Sequence, residues 1–289
     1  VSLGFGAVAV LCAYAIAREF RPDDARLPAL AAALVAFNPM YLHIMGSVNN
    51  DTLATALSSL SLLLGARLIR RGLDLRTAAL LGVALGCAAL TKASGLALSL
   101  AVPAFVLLAA LRARRSFGQL VSTALAIAAP AAAIAGWFYA RNYLLYGDIT
   151  GTQMMAVIAG ARVPPADLGE LAGEWRSFLT AYIAMFGAVN IPAPQWMYAA
   201  FEFVLAIAGG GLFLEVVDWR NKPRRDATGA LIALMCFTAL AVAFAALLHW
   251  TSITQASQGR LLFPVVAGIA LLLATGLLRV QDSLRSIPG

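Results

Sequence analysis

Charge is scarce in this chain. Only 12% of its 289 residues are Asp, Glu, Lys or Arg, and just 14 are acidic. With a mean hydropathy of +0.83, this composition excludes an ordinary soluble domain. Cysteine is rare as well. Cys12, Cys87 and Cys236 are the only three, each inside an apolar run where a small apolar side chain is the usual role. Neither a disulfide framework nor a metal-ligand spacing is present. The chain also lacks a secretory signal peptide and an internal repeat of fixed period.

What it has is apolar length. The greasy segments are about 15 to 22 residues long, enough to cross roughly 30 Å of hydrocarbon. The expected fold is all-α: a polytopic transmembrane bundle of about nine spans forming one domain over residues 1–289. The spans are 1–17, 27–46, 52–69, 77–91, 93–111, 119–140, 196–217, 228–250 and 261–279. Pro39, Pro103 and Pro130 fall within spans as candidate kinks. Gly82 and Gly86 make a small-xxx-small face suited to close helix packing.

Orientation follows from the basic residues, because Lys and Arg in short connections resist translocation. Sixteen of the 21 lie at the ends after spans one, three, five, seven and nine: Arg18, Arg21, Arg26; Arg67, Arg70, Arg71, Arg76; Arg112, Arg114, Arg115; Arg220, Lys222, Arg224, Arg225; Arg279, Arg285. These ends face the cytoplasm. The net charge of +7 is therefore topological and gives no support to nucleic-acid binding. Val1 already lies in a membrane helix that starts outside, so at least one further helix and its loop are expected upstream. The long external segment, about residues 141–195, carries aromatics (Trp175, Phe178, Tyr182, Phe186, then Trp196 and Tyr198) that suit interfacial helices.

Polar residues gather at the external ends of the spans: His43, Asn49, Asn50, Asp51, Lys92, Arg141, Asn142, Asp148, His249, Gln255, Gln258 and Arg260. Ionisable groups near membrane depth are costly, so each either pairs, lines a wet cavity or snorkels outward. Asn50 or Asp51 also suits capping of the run that follows. Lys92, flanked by Ala-Ala-Leu-Thr and Ala-Ser-Gly-Leu, must reach the surface or meet an anion. Arg260 follows two glutamines and Gly259, which permits close backbone approach. Asp148, in Tyr-Gly-Asp, reads equally as a turn former. His43 and His249 read as helix-end residues.

Five stretches resemble the GT-C superfamily of integral-membrane glycosyltransferases: NPMYLHIMGSVNNDTLA (Asn38 to Ala54), GVALGCAALTKASGL (Gly82 to Leu96), RNYLLYGD (Arg141 to Asp148), FGAVNIPAPQWMY (Phe186 to Tyr198) and QGRLLFP (Gln258 to Pro264). Within it they are similar to bacterial relatives of the protein O-mannosyltransferases and lipid A aminoarabinose transferases. The resemblance implies inverting transfer of a sugar from a polyprenyl-phosphate donor to a glycan, lipid or protein acceptor. That chemistry would run on the extracytoplasmic face of the cell membrane, the inner one in a bacterial envelope. It assigns the catalytic position to Asp51, which orients the acceptor or sugar, and donor-phosphate contacts to Lys92 and Arg260. Arg141, Asn50, Gln258 and His43 are further substrate-binding candidates. The family's general base sits on the first external loop, so it would lie upstream of Val1. No cofactor is implied; a divalent cation is possible but not indicated. The alternatives are a non-catalytic assembly partner and a lipid or sugar transporter. For the transporter, Glu202 and the Gly209-Gly210-Gly211 run are the features in favour.

Overall fold

The structure is a computed structural model that describes residues 1–221 and 226–286. Lys222, Arg224 and Arg225 of the basic set lie outside the described residues. The helices are α1 (Ser2–Phe20), α2 (Arg26–Ala36), α3 (Pro39–Met45), α4 (Asn50–Arg71), α5 (Leu75–Thr91), α6 (Leu96–Arg112), α7 (Phe117–Ala131), α8 (Trp137–Tyr146), α9 (Thr152–Ala159), α10 (Leu168–Gly173), α11 (Trp175–Ile183), α12 (Gln195–Asn221), α13 (Ala227–Ile253) and α14 (Val266–Arg285). A small hairpin pairs β1 (Met185–Phe186) antiparallel with β2 (Ile191–Pro192). The all-α expectation holds: among the described residues seven helical stretches are long and apolar enough to cross a membrane, or eight if the bent pair α2–α3 counts as one span. The expected nine included α5, which is apolar but, at 17 residues, shorter than these.

The broken span is the one expected over 27–46, with Pro39 as its candidate kink. It bends by 65° between α2 and α3, because Pro39 has no N–H to continue the first helix and is suited to start a second. Asn38 caps that second helix, its side chain accepting from the Tyr41 amide at 2.9 Å. Pro103, by contrast, sits inside an uninterrupted α6. Pro130 precedes a π-turn at Ala132–Gly136 that joins α7 to α8, a usual accommodation of a missing amide. The run Gly209-Gly210-Gly211 breaks nothing: α12 is continuous through it.

Helices α4 and α14 form the centre, with 78% and 72% of their apolar windows buried, against 11% for α12 and 17% for α7–α8 at the periphery. Glycines set the closest contacts. A Cβ on Gly82 would lie 2.2 Å from the Ile127 carbonyl oxygen, and one on Gly211 would lie 1.9 Å from that of Gly276. The small-xxx-small face of α5 therefore receives α7, and α12 docks on α14.

At the basic end, ion pairs stitch the bundle. The buried Glu19 of α1 pairs with Arg71, and Arg70 donates to the Glu19 and Phe20 carbonyls at 2.6 and 2.8 Å. Arg21 meets Glu215 at 2.7 Å, Arg26 meets Asp282 at 2.8 Å, and Arg279 pairs with Asp218. The basic residues clustered at this end thus join α1, α4, α12 and α14.

The glycine contacts make a direct test. Gly211→Val or Gly276→Val should destabilise the detergent-solubilised protein by ~1–3 kcal/mol through overpacking, seen as a lower thermal aggregation temperature. Gly209→Ala, whose added Cβ meets nothing within 4 Å, should leave it unchanged.

Candidate functional site

The end opposite the ion-pair network holds the polar residues. There α3 hands over to α4 through Asn49, which is extended (φ −154°, ψ 168°) and accepts from the Thr52 amide at 3.1 Å. Its amide group donates to the Ile44 carbonyl at 3.1 Å and to Ser47 Oγ at 2.6 Å. Asn49 is therefore the cap, not Asn50 or Asp51. The cap residue must stand outside the helix in extended geometry, whereas Asn50 and Asp51 already lie in the first turn. The Asp51 carboxylate takes no part in capping.

It instead pairs with Lys92. Lys92 follows the last residue of α5 in an extended conformation (φ −158°, ψ 139°), and a tight 3-10 turn, Ala93–Gly95, reverses the chain. Gly95 is required there, since a Cβ would fall 2.5 Å from the Ala88 carbonyl. The ammonium is thereby presented sideways to the start of α4. Asn50 adds a hydrogen bond to the Thr91 carbonyl at 3.4 Å. The two side chains are 27% and 19% exposed, so the pair is partly shielded from water.

Arg260 lies in a 3-10 segment, Gly259–Val265, that packs against α4 and α11. Gly259 does allow close approach: a Cβ would meet the Phe178 carbonyl at 2.1 Å. Arg260 donates to Gln258 Oε1 at 2.9 Å and carries no ion pair among the described residues. Arg141 is exposed on α8, likewise without an ion pair there. His43, on α3, sets its ring edge-on to Phe186 of the hairpin at 5.4 Å. The structure thus joins Asp51, Lys92 and Asn50, and joins Arg260 to Gln258. No hydrogen bond or ion pair links these two groups, and Arg141 and His43 stand apart from both.

The remaining external residues shape the chain. The buried Asn142 donates to the Ile149 carbonyl at 3.4 Å. Asp148 accepts from the Gln153 amide at 3.0 Å and from the Thr150 hydroxyl at 2.8 Å, which hold its carboxyl below the ordinary range. It is a turn former. No three His, Cys, Asp or Glu side chains converge as a metal site among the described residues. An apolar cavity of about 330 Å³ between α2, α12 and α14 has Asn38 and Tyr182 in its lining.

Two supports went unseen in the sequence. The first is an aromatic stack: Tyr41 and Tyr182 flank Phe263 with ring centroids 5.7 and 5.6 Å away, tying α3, α11 and the Arg260 segment together. The second is a polar clasp. Arg162 grips Glu174 through two bonds of 2.8 and 2.9 Å and donates to the Thr254 carbonyl at 2.8 Å, while Ser257 bonds Glu174 from the other side. The clasp fastens the external segment to the turn that carries Gln258 and Arg260. No local feature of the sequence marks either contact.

The Arg162 guanidinium holds the Glu174 carboxyl below its ordinary range, with Ser257 adding to the effect and burial opposing it. A lowered pKa means the clasp contributes fully above the ordinary carboxylate range and is lost as pH falls through the depressed value. Hydrogen exchange of the Arg162 and Ala166 amides, bonded to the Ile253 and Ser252 carbonyls, should show protection that declines in acid after correction for intrinsic rates. Glu174→Gln should lower that protection at neutral pH by on the order of 1 kcal/mol and flatten its pH dependence.

No curated protein matches this chain. Among solved structures, it is similar to the archaeal oligosaccharyltransferase AglB from Archaeoglobus fulgidus, determined in complex with an inhibitory peptide and a dolichol-phosphate. The identity is 16% and the TM-score 0.49, over 99% of this chain and 39% of that one. The chain thus spans well under half the length of that protein. A family profile matches residues 4–269, and the chain belongs to that family, described as predicted membrane protein (DUF2142).

Proposed function

We propose that this protein is a membrane glycosyltransferase that uses a polyprenyl-phosphate-linked sugar at the end of the bundle holding Asp51 and Lys92, on the extracytoplasmic side of the cell membrane. The observation that carries the reading is the meeting of Asp51, Asn50 and Lys92. Asp51 and Asn50, both in the first turn of α4, reach the end of α5, one pairing with Lys92 and the other bonding the Thr91 carbonyl, where apolar packing needs no polar group. Arg260, with no carboxylate partner among the described residues, supplies a second cation at the same end of the fold.

The chemistry assigns each a role. In a glycosyl transfer the leaving phosphate gains negative charge as the anomeric bond breaks, and a fixed cation in a partly shielded site stabilises it most at that moment. Lys92 and Arg260 take that role, each charge-assisted contact being worth ~1.5–3 kcal/mol. Asp51, an acceptor on a helix start and free of capping, orients the hydroxyl that attacks. Asn50 and Gln258 hold neighbouring polar groups in place. Arg141 and His43 are further candidate contacts for the substrate's polar groups.

The reading is tested in the intact protein. Lys92→Ala and Arg260→Ala should each abolish sugar transfer from a polyprenyl-phosphate donor while the amount in the membrane stays unchanged. Asp51→Asn should reduce turnover severely with folding intact, because Asn49 carries the cap. Wild-type turnover in both cation variants would remove the phosphate-site assignment.

A further inference from the structure

Resting on the phosphate-site reading, we infer that Asp51 is a built-in competitor of the lipid phosphate: the anion takes Lys92 from Asp51, and the displaced carboxylate turns to the hydroxyl of Thr55.

The resting pair leaves little room for a simple dock. Lys92 is already neutralised by Asp51, so a phosphate approaching the ammonium meets a carboxylate at contact distance. Like charges so close in a shielded site repel strongly. Binding therefore exchanges one ion pair for another. The exchange is favourable only if the released carboxylate finds new donors, since an unpaired charge at this depth is costly.

The structure holds such donors in reserve. Among the described residues, six buried side-chain polar atoms lack a partner, and four of them are the hydroxyls of Thr55, Ser58, Ser59 and Ser94. Three are on α4 within two turns of Asp51; the fourth lies two residues after Lys92. Orphaned buried hydroxyls call for an explanation. A second arrangement of the charges supplies one. Thr55 stands four residues after Asp51, one helical turn along the same face, and is fully buried. It is the hydroxyl closest in register to receive the carboxylate.

A consequence concerns product. The donor is a phosphodiester with one negative charge, whereas the leaving polyprenyl phosphate is a monoester whose second proton leaves near pH 6. Asp51 opposes the more highly charged product more strongly than the donor. Return of the carboxylate to Lys92 then helps expel it.

The test is binding of a short polyprenyl monophosphate, geranylgeranyl phosphate, to the detergent-solubilised protein, with geranylgeraniol as the uncharged control. Lys92→Ala should weaken phosphate binding roughly tenfold or more. Asp51→Asn, which removes the competitor, should tighten it by about threefold or more. Thr55→Val should weaken it in the wild type and have no effect beside Asp51→Asn. Equal or weaker binding by Asp51→Asn, with Lys92→Ala still deficient, overturns the competition but leaves the phosphate site standing. Full binding by both Lys92→Ala and Arg260→Ala overturns the site and the inference with it. Should Asp51→Asn not fold, Thr55→Val alone decides: unchanged affinity overturns the hand-over.

Discussion

The break between α2 and α3 is the constraint from which the external end of the molecule is built. In hydrocarbon every backbone amide and carbonyl must find a partner within the protein, so a chain that turns by 65° inside a span needs groups to serve both sides of the turn. One side chain does it. Asn38 accepts from the Tyr41 amide with its oxygen and donates to the Tyr182 carbonyl at 3.3 Å with its nitrogen, capping α3 and holding α11 above it. Tyr41, buried in the core, adds a hydroxyl bond to the Gly6 carbonyl at 2.7 Å. With α3 fixed to α1 and α11, the link from Gly46 to Asn49 is short. Asn49 can then reach back to Ile44, delivering Asn50 and Asp51 to the first turn of α4 at the height of the α5–α6 tip.

The features legible in the sequence were those written in length or in local steric rules. Apolar runs gave most of the spans, and Gly82, Gly86 and Gly259 pointed to close approaches that the backbone makes. Pro39 marked where a span would bend. The size of the bend was not legible, because it depends on what α3 packs against: Phe263, more than two hundred positions later, and α11. The capping residue was misplaced by one or two positions for a related reason. Asn49, Asn50 and Asp51 are all acceptable caps by type, and only the contacts of Asn49 with Ile44 and Ser47 select among them.

Pairing of charges was illegible in the same sense. Lys92 had to find either water or an anion, and Asp51 had to find a donor, yet 41 residues separate them and no periodicity joins them. Arg162 and Glu174 are 12 residues apart, and Ser257 lies 83 beyond Glu174. The clasp exists because the external segment folds back over the end of α13, a tertiary event that leaves no local trace in side-chain order.

Counting charges would suggest that the external end is close to neutral, but the acids there are committed differently from the cations. Asp167 and Glu170 bond each other's backbone amides in a reciprocal capping box. Asp148 closes a turn, Glu174 is held by Arg162, and Asp51 by Lys92. These carboxylates are fixed to short local loops. Arg141, Arg176 and Arg260 remain without ion pairs among the described residues; at the opposite end acids meet Arg21, Arg26, Arg70, Arg71 and Arg279, while Arg18, Arg76, Arg112, Arg114, Arg115 and Arg285 carry no ion pair among the described residues. Ion pairs at one end join long helices, Arg21 to Glu215 and Arg279 to Asp218; at the other they join helix ends and short connections, Lys92 to Asp51 and Arg162 to Glu174.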